Sequence, residues 1–365
     1  MSTPSALHDV HSELGATFTD FAGWSMPLRY GSELAEHRAV REAAGIFDLS
    51  HMGEIDVTGP DAAAALDYAL VGKLSAVKVG RARYTMIADA DGGVLDDLVV
   101  YRLADDHFMV VANASNYVLV AEEITARAAE FDATVTDRSA EVALIAVQGP
   151  NSAAIVAEVT GTDLTGLPYY GSMPAVAAGH DVLLARTGYT GEDGFELYAE
   201  ASRAVDVWRA LAAAGEAHGL APAGLACRDT LRLEAGMPLY GNELTVDISP
   251  FAAGLGRVVK FDKPGDFVGR AALERLRDAG TDRTLVGLAG TGRRAARSGY
   301  PVLDASGARV GVVTSGALSP TLGHPIAMAY VPAEHSEPGT ALTVDVRGRA
   351  ADVTVVTLPF YTRTA

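Results

Sequence analysis

The chain has 365 residues, with 29 Lys+Arg against 46 Asp+Glu and a net charge of −17. A surface that negative repels phosphate backbones and anionic lipid headgroups, which argues against nucleic acid or a membrane as the main partner. With 49% hydrophobic and 21% charged residues, disorder is excluded as the dominant state, and the single cysteine, Cys227, excludes an intramolecular disulfide or a Cys-rich metal site.

The length predicts two or three domains at roughly 100 to 200 residues each. No apolar stretch reaches the roughly 18 residues a membrane helix needs. Asp9, Glu13 and Asp20 leave the N-terminus without the basic start and apolar core of a secretion signal, so a reducing cytoplasm is the expected compartment.

In the first 140 residues helix and strand signals alternate. Residues 31–44 (GSELAEHRAVREAA) carry good helix formers up to Gly45, and 46–57 read as extended. Gly59-Pro60 marks a turn before an Ala-rich helix over 61–71. Strands are predicted at 83–88 and 93–102, separated by the turn formers of 89–93, and again at 107–112. An amphipathic helix follows over 116–131, with Tyr117, Val120, Ile124, Ala128 and Phe131 at three-to-four spacing. From Glu141 the pattern restarts with a buried-type strand at 142–147, a turn at Gln148-Gly149-Pro150, and Asn151 as N-cap of a helix over 152–160. Strands at 181–185 and 195–199 flank a turn-rich segment, and helices are expected at 204–218 and 223–235, the latter ended by Gly236 and Pro238. Beyond about Thr281 helical signals stop, and short strands such as TLVGLAG, IAMAYVP and ADVTVVTL recur between turns rich in Gly, Pro and Asp. The fold class is therefore α+β, with two related modules followed by a β domain.

Four constellations could carry chemistry. Asp96-Asp97 lies inside an apolar strand, where successive side chains point to opposite faces, so at least one carboxylate meets a costly environment. The pattern leaves open which one faces inward, and a solvated strand end is an equal reading. Gly188-Tyr189-Thr190-Gly191-Glu192-Asp193-Gly194 is a loop that lets backbone and ligand approach closely. In the strand after it Phe195 and Leu197 share one face and Glu196 and Tyr198 the other; a fixed Glu196 suits a heterocycle with two parallel N–H donors, although a solvated Glu is the commoner outcome. Arg228 and Arg232, four apart on a helix, can grip a carboxylate or form structural ion pairs. The terminal Pro359-Phe360-Tyr361-Thr362-Arg363 is more often a docked tail than a site. Cys227 reads as a buried structural thiol, and Ser50-His51, taken as strand neighbours, point apart and argue against a dyad. Arg293, Arg294 and Arg297 form a local basic cluster, either a solvated loop or a contact for an acidic carrier or polyglutamate tail.

Taken together, FAGWSMPLRY, FDLSHMGE, GGVLDDLVVYR, QGP, GYTGEDGFE, CRDTLRLEAGMPLYGNEL and PFYTR resemble, in this order and over essentially the full chain, the T-protein (aminomethyltransferase) family of the glycine cleavage system. The resemblance implies a three-domain cloverleaf around a central folate-binding hole. Residues 1–50 and 140–275 are expected to form the central α+β domain, 51–139 a second α+β domain carrying the LDDL strand, and 280–365 a C-terminal β-barrel domain. It implies transfer of the methylene of an aminomethyl group, held on the dihydrolipoyl arm of the lipoylated carrier H-protein, to tetrahydrofolate, giving 5,10-methylenetetrahydrofolate and ammonia without a metal. Carried over residue by residue, Asp97 matches the family's catalytic carboxylate, Glu196 the pterin-holding carboxylate and Arg228 a folate-site arginine. Met52, Tyr84, Asn113, Tyr169, Tyr189, Tyr240 and Arg363 match positions lining the same hole. Two alternatives share the fold. One is a folate-dependent demethylase taking its one-carbon unit from a small molecule. The other is a non-enzymatic folate-binding assembly factor, whose relatives carry a cysteine in the glycine loop where this chain has GYTGEDG.

Overall fold

A computed structural model describes residues 2–363. Two sheets form the body of the molecule. One has six strands in the order Ser172–Ala177, His180–Ala185, Gly194–Glu200, Val142–Gln148, Ala44–Asp48, Leu220–Pro222. The other has five in the order Arg81–Ala88, Val94–Ala104, His107–Ala112, Gly53–Thr58, Thr134–Asp137. A closed six-stranded barrel follows, built from Thr284–Gly290, Pro301–Leu303, Arg309–Leu318, Pro325–Val331, Ala341–Asp345 and Ala350–Val356.

The period-two alternation of the strands decides how these layers stack. In Val142–Gln148, Ala143, Ile145 and Val147 pack under the helices Ser152–Thr160 and Ala204–Gly215, joining Ile155, Val207, Trp208 and Leu211. On the other face Leu144 and Ala146 meet Tyr101, Met109 and Val111 of the second sheet. That second sheet buries Ile55, Val57, Leu98, Val100 and Val110 under its own helices, Ala62–Ala69 and Tyr117–Arg127. The layers therefore run helices, sheet, sheet, helices, and the face shared by the two sheets is where side chains of both can converge.

The run read as one extended segment over 46–57 is two strands. Ala44–Asp48 joins the first sheet and Gly53–Thr58 the second, with residues 49–52 turning between them. Asp48 makes the turn: it accepts hydrogen bonds from Ser50 N (2.9 Å) and Ser5 Oγ (2.6 Å) and sits 2.9 Å from His11 Nε2. Ser50 and His51 are consequently turn residues, both buried, rather than strand neighbours pointing apart. Asn151 precedes its helix as expected, but its side chain makes no cap; Nδ2 donates to the His218 carbonyl instead (2.9 Å). Several elements lie outside the sequence reading, including Ser172–Ala177 and Leu220–Pro222 at the two edges of the six-stranded sheet. The antiparallel pair Thr17–Phe21 and Trp24–Arg29 is short and carries Pro27, and Thr134–Asp137 is a brief edge strand. Helix Arg270–Ala279, which buries Ala272 and Leu273, also lies outside that reading although Ala272, Leu273 and Leu276 recur at helical spacing.

Helix Leu225–Glu234 fastens the barrel to the body. Leu233 packs with Ala317, Ile326 and Met328, while Glu234 accepts from Thr321 N (3.0 Å) and Ser319 Oγ on the barrel side and from Arg41 (2.9 Å) on the body side. Burial alone would raise the Glu234 carboxyl, but His37, Ser319 and Arg41 outweigh it and hold the group down at about 2. A depressed carboxylate stabilises the fold above its ordinary range near 4.5, and this stability is lost as pH falls towards 2. The contribution is roughly 3 kcal/mol. The melting temperature should fall over that pH window, and Glu234→Gln, destabilised at neutral pH, should show a shallower fall; equal slopes for the two proteins would contradict the assignment.

Candidate active site

Where the two sheets face one another, below the barrel-bearing helix, lies a cavity of about 270 Å³. Nine of the ten residues singled out from the sequence line it: Met52, Tyr84, Asp97, Asn113, Tyr169, Tyr189, Glu196, Arg228 and Tyr240. The tenth, Arg363, is outside the lining, with its guanidinium 3.7 Å from Asp193. Tyr361 explains that placement, because its ring stacks on Arg41 (4.1 Å) and its N–H donates to the Glu234 carbonyl (2.8 Å), docking the tail.

Strand Val94–Ala104 positions the acidic pair. Its buried residues alternate, so Asp96 shares the face of Leu98 and Val100, and Asp97 takes the opposite face, the one that looks into the cavity. Asp96 is fully buried and accepts from Asn113 N (2.9 Å), Asn113 Nδ2 (2.9 Å) and Asn116 Nδ2 (2.8 Å). It thereby ties the strand to the start of helix Tyr117–Arg127. Asp97 accepts from Tyr84 OH (3.1 Å) and from Asn113 Nδ2 (2.9 Å), so one Asn113 amide holds both carboxylates. Burial, with the neighbouring Asp97 charge, pushes Asp96 up to about 7. Burial pushes Asp97 up to about 6, against the hydrogen bonds from Tyr84 and Asn113 and the charge of Arg228. Asp97 is thus a carboxylate near neutral pH that gains or loses a proton close to the working range, as acid–base chemistry requires.

Glu196 comes from the neighbouring sheet. Phe195 and Leu197 point into the core of the first module, which turns Glu196 to the cavity. Its Oε2 accepts from Thr187 Oγ and, at 3.4 and 3.5 Å, from Tyr101 and Tyr198. Burial raises its carboxyl while these hydroxyls and Arg228 lower it. The glycine loop before it is shaped by contact with Gln148. A Cβ on Gly188 or Gly194 would come within 2.0 or 2.3 Å of that side chain, whose amide bonds the Thr187 carbonyl (3.0 Å) and Thr190 Oγ (3.0 Å). Gly191, at φ +83°, takes the turn that side chains disfavour. Arg186 clamps Asp193 through two bonds of 2.9 and 2.7 Å, closing the loop.

The two arginines of helix Leu225–Glu234 have different fates. Arg228 lies over the Tyr189 ring at 4.3 Å and lines the cavity. Arg232, 1% exposed, turns to the barrel, meeting Glu243 (3.0 Å), Asp229 (2.7 Å) and Ser315 Oγ (2.8 Å). Cys227 is buried, its thiol 3.3 Å from the Gly224 carbonyl, and takes no part. Arg293, Arg294 and Arg297 are exposed on the barrel, with Arg297 donating to the Gly316 carbonyl (3.1 Å).

Several lining residues escape sequence reasoning, among them Leu49, Tyr170, Thr187 and Leu239. Tyr170 sits at φ 60°, a conformation that no local turn signal announces. His51, hidden by its assignment to a strand, lines an adjoining chamber.

Residues 7–263 match the family model described as the GCVT N-terminal domain, and residues 283–362 match the glycine cleavage T-protein C-terminal barrel domain. The chain is 62% identical over 367 residues to the aminomethyltransferase of Saccharopolyspora erythraea, covering 100% of both. It is 45% identical over 358 residues to that of Halothermothrix orenii, covering 97% of this chain and 98% of the relative. The crystal structure of glycine cleavage system aminomethyltransferase T from Bartonella henselae matches with a TM-score of 0.93 at 37% identity, over 99% of this chain and 98% of that one.

Proposed function

The chain belongs to the glycine cleavage T-protein family, and from that premise we propose that its reaction runs in the cavity between the two sheets, with Asp97 as the catalytic carboxylate. The activity is that of a folate-dependent aminomethyltransferase of the glycine cleavage system. The acceptor is tetrahydrofolate and the donor is the aminomethyl group on the dihydrolipoyl arm of lipoylated H-protein.

The donor set fits a reduced pterin. Glu196 offers a fixed carboxylate to a ring edge with two parallel N–H donors, and the hydroxyls of Thr187, Tyr101 and Tyr198 keep it oriented. Tyr84, Tyr169, Tyr170, Tyr189 and Tyr240 give flat walls for an aromatic ligand. When bound, tetrahydrofolate supplies the nucleophilic nitrogens that take up the methylene carbon. Asp97 faces the positive charge that develops as the aminomethyl group is activated, and its proton affinity lets it take a proton at Oδ from the acceptor. Tyr84 and Asn113 hold that oxygen pair in place before substrate arrives, so little reorganisation is needed. Arg228 adds a cation whose charge partly offsets the burial that raises the Glu196 and Asp97 carboxyls.

One observation carries this reading: residues from separate segments of the sequence, Asp97 and Glu196 among them, converge on a single cavity. The test is equilibrium titration with tetrahydrofolate. Glu196→Ala should weaken binding by roughly ten- to a hundredfold, the range for a charge-assisted hydrogen bond. Unchanged affinity would remove Glu196 from the pterin site.

A further inference from the structure

Helix Glu33–Glu42 carries Arg41 in its last turn, four residues after His37, so the two side chains share a face. Both reach Glu234 at the end of helix Leu225–Glu234, at 3.2 Å from His37 and 2.9 Å from Arg41. The Arg41 side chain is only 6% exposed, and every N–H group of its guanidinium has an acceptor. Nε and Nη2 donate to Glu234 Oε2 (3.1 and 2.9 Å), and Nη2 also to the Leu231 carbonyl (3.3 Å). Nη1 donates to the Thr190 carbonyl (2.7 Å) and to Glu192 Oε1 (2.9 Å), both in the glycine loop. Over this guanidinium lies the ring of Tyr361, whose own N–H is fixed on the Glu234 carbonyl.

The loop that Arg41 grips is a wall of the central cavity. Gly188 and Tyr189 line the cavity, Thr190 follows them directly, and the chain then enters the strand that presents Glu196. Gln148 holds the loop from the inside, through the Thr187 carbonyl and Thr190 Oγ. From the outside it is Arg41 that holds it, while Arg41, Glu192, Glu234 and Tyr361 all lie off the cavity lining. A loop so rich in glycine has few side chains of its own to pack, so its place depends on groups that reach it. The planar guanidinium sets loop and helix at a fixed angle to one another, which a lysine ammonium cannot do. The aromatic ring above it adds a cation–π contact and shields the bonds from water.

We propose that Arg41, held under Tyr361, is a positioning residue for the folate site, coupling the docked C-terminal tail to the placement of Tyr189 and Glu196. Tetrahydrofolate affinity then depends on a ring that lies outside the cavity. The inference rests on the folate reading above.

The test is equilibrium titration of the whole chain with tetrahydrofolate, alongside steady-state kinetics. Arg41→Lys, which keeps the charge facing Glu192 and Glu234 but loses the fork, should weaken binding roughly three- to tenfold, about the worth of one hydrogen bond. KM for folate should rise by the same factor, with turnover at saturating folate near wild type, because Asp97 and Tyr84 stand on the other sheet. Tyr361→Ala should show a loss of the same size, and Tyr361→Phe, which keeps the ring, should retain most of the affinity. The double variant Arg41→Lys with Tyr361→Ala should lose no more than the larger single loss, since both changes act on one contact. A merely structural role would lower the melting temperature without moving KM. Wild-type affinity in either Arg41→Lys or Tyr361→Ala, or losses that add in the double variant, overturns the coupling and leaves the active-site reading standing. If the lysine variant does not fold, the two Tyr361 variants decide, and equal affinity in alanine and phenylalanine overturns the coupling. A wild type that binds no tetrahydrofolate overturns the folate reading and this inference together.

Discussion

Asp97→Asn should lower turnover by roughly 10²- to 10⁴-fold while leaving tetrahydrofolate affinity nearly unchanged, because it removes a charge and a proton acceptor without changing shape. With its single amide oxygen turned to Asn113 Nδ2, the variant keeps that bond and its NH2 donates to the Tyr84 hydroxyl oxygen, so the packing around Asn113 persists. The pH profile should separate this role from a structural one. With the Asp97 carboxyl pushed up to about 6, wild-type turnover should fall as pH drops through that value and the carboxylate takes its proton. The residual activity of Asp97→Asn should lack that limb. Near-normal turnover in the variant, or the same acid limb, would contradict the assignment. Asp96 provides the contrast. Its carboxylate is fully buried on the other face and joins Asn113 to Asn116, so its loss should register first as lost stability.

Arg232→Ala should cost about 3 to 5 kcal/mol of stability, because it strands the Glu243 carboxylate in the interior. Glu243 is fully buried, and among the described residues only Arg232 and the Leu239 N–H, at 2.9 Å, donate to its side chain. For a chain of this length the melting temperature should drop by about 5 °C. The consequence reaches function, since Arg232 also donates to the Met237 carbonyl (3.3 Å), and residues 237–240 form part of the cavity wall. Folate affinity should therefore fall in the single variant. Replacing both partners, Arg232→Met with Glu243→Leu, should restore most of the stability, since no buried charge is then left alone. Thermal unfolding of the single and double variants gives the coupling; a single variant within about 1 kcal/mol of wild type would show that the pair does not hold the barrel.

Much of the architecture is legible in the sequence because it is local. The alternation in Val94–Ala104 and Gly194–Glu200 gives the two faces of each strand, and the loss of helical periodicity after Thr281 marks the barrel. What is not legible depends on distant partners. The turn after Asp48 exists because His11 and Ser5 reach it from the N-terminus, and no pattern in 46–57 reports that contact. The same blindness hid His51 and its chamber. Alternation could say that Asp96 and Asp97 diverge but not which one meets the cavity, because the choice depends on which face of the sheet receives helices. Arg228 and Arg232 share a helix face by spacing, yet the barrel claims one and the cavity the other. For the PFYTR tail, the residue-level reading as a docked end describes Tyr361, which stacks on Arg41, and Arg363 lies beside Asp193, outside the cavity lining.

The most direct measurement is release of ammonia from aminomethylated, lipoylated carrier protein incubated with this chain, with and without tetrahydrofolate, in wild type, Asp97→Asn and Glu196→Ala. The account predicts folate-dependent release matched by formation of 5,10-methylenetetrahydrofolate, nearly abolished in Asp97→Asn even at saturating folate and weakened in Glu196→Ala until folate is raised. Release that ignores folate, or that survives in Asp97→Asn at the wild-type rate, would contradict it.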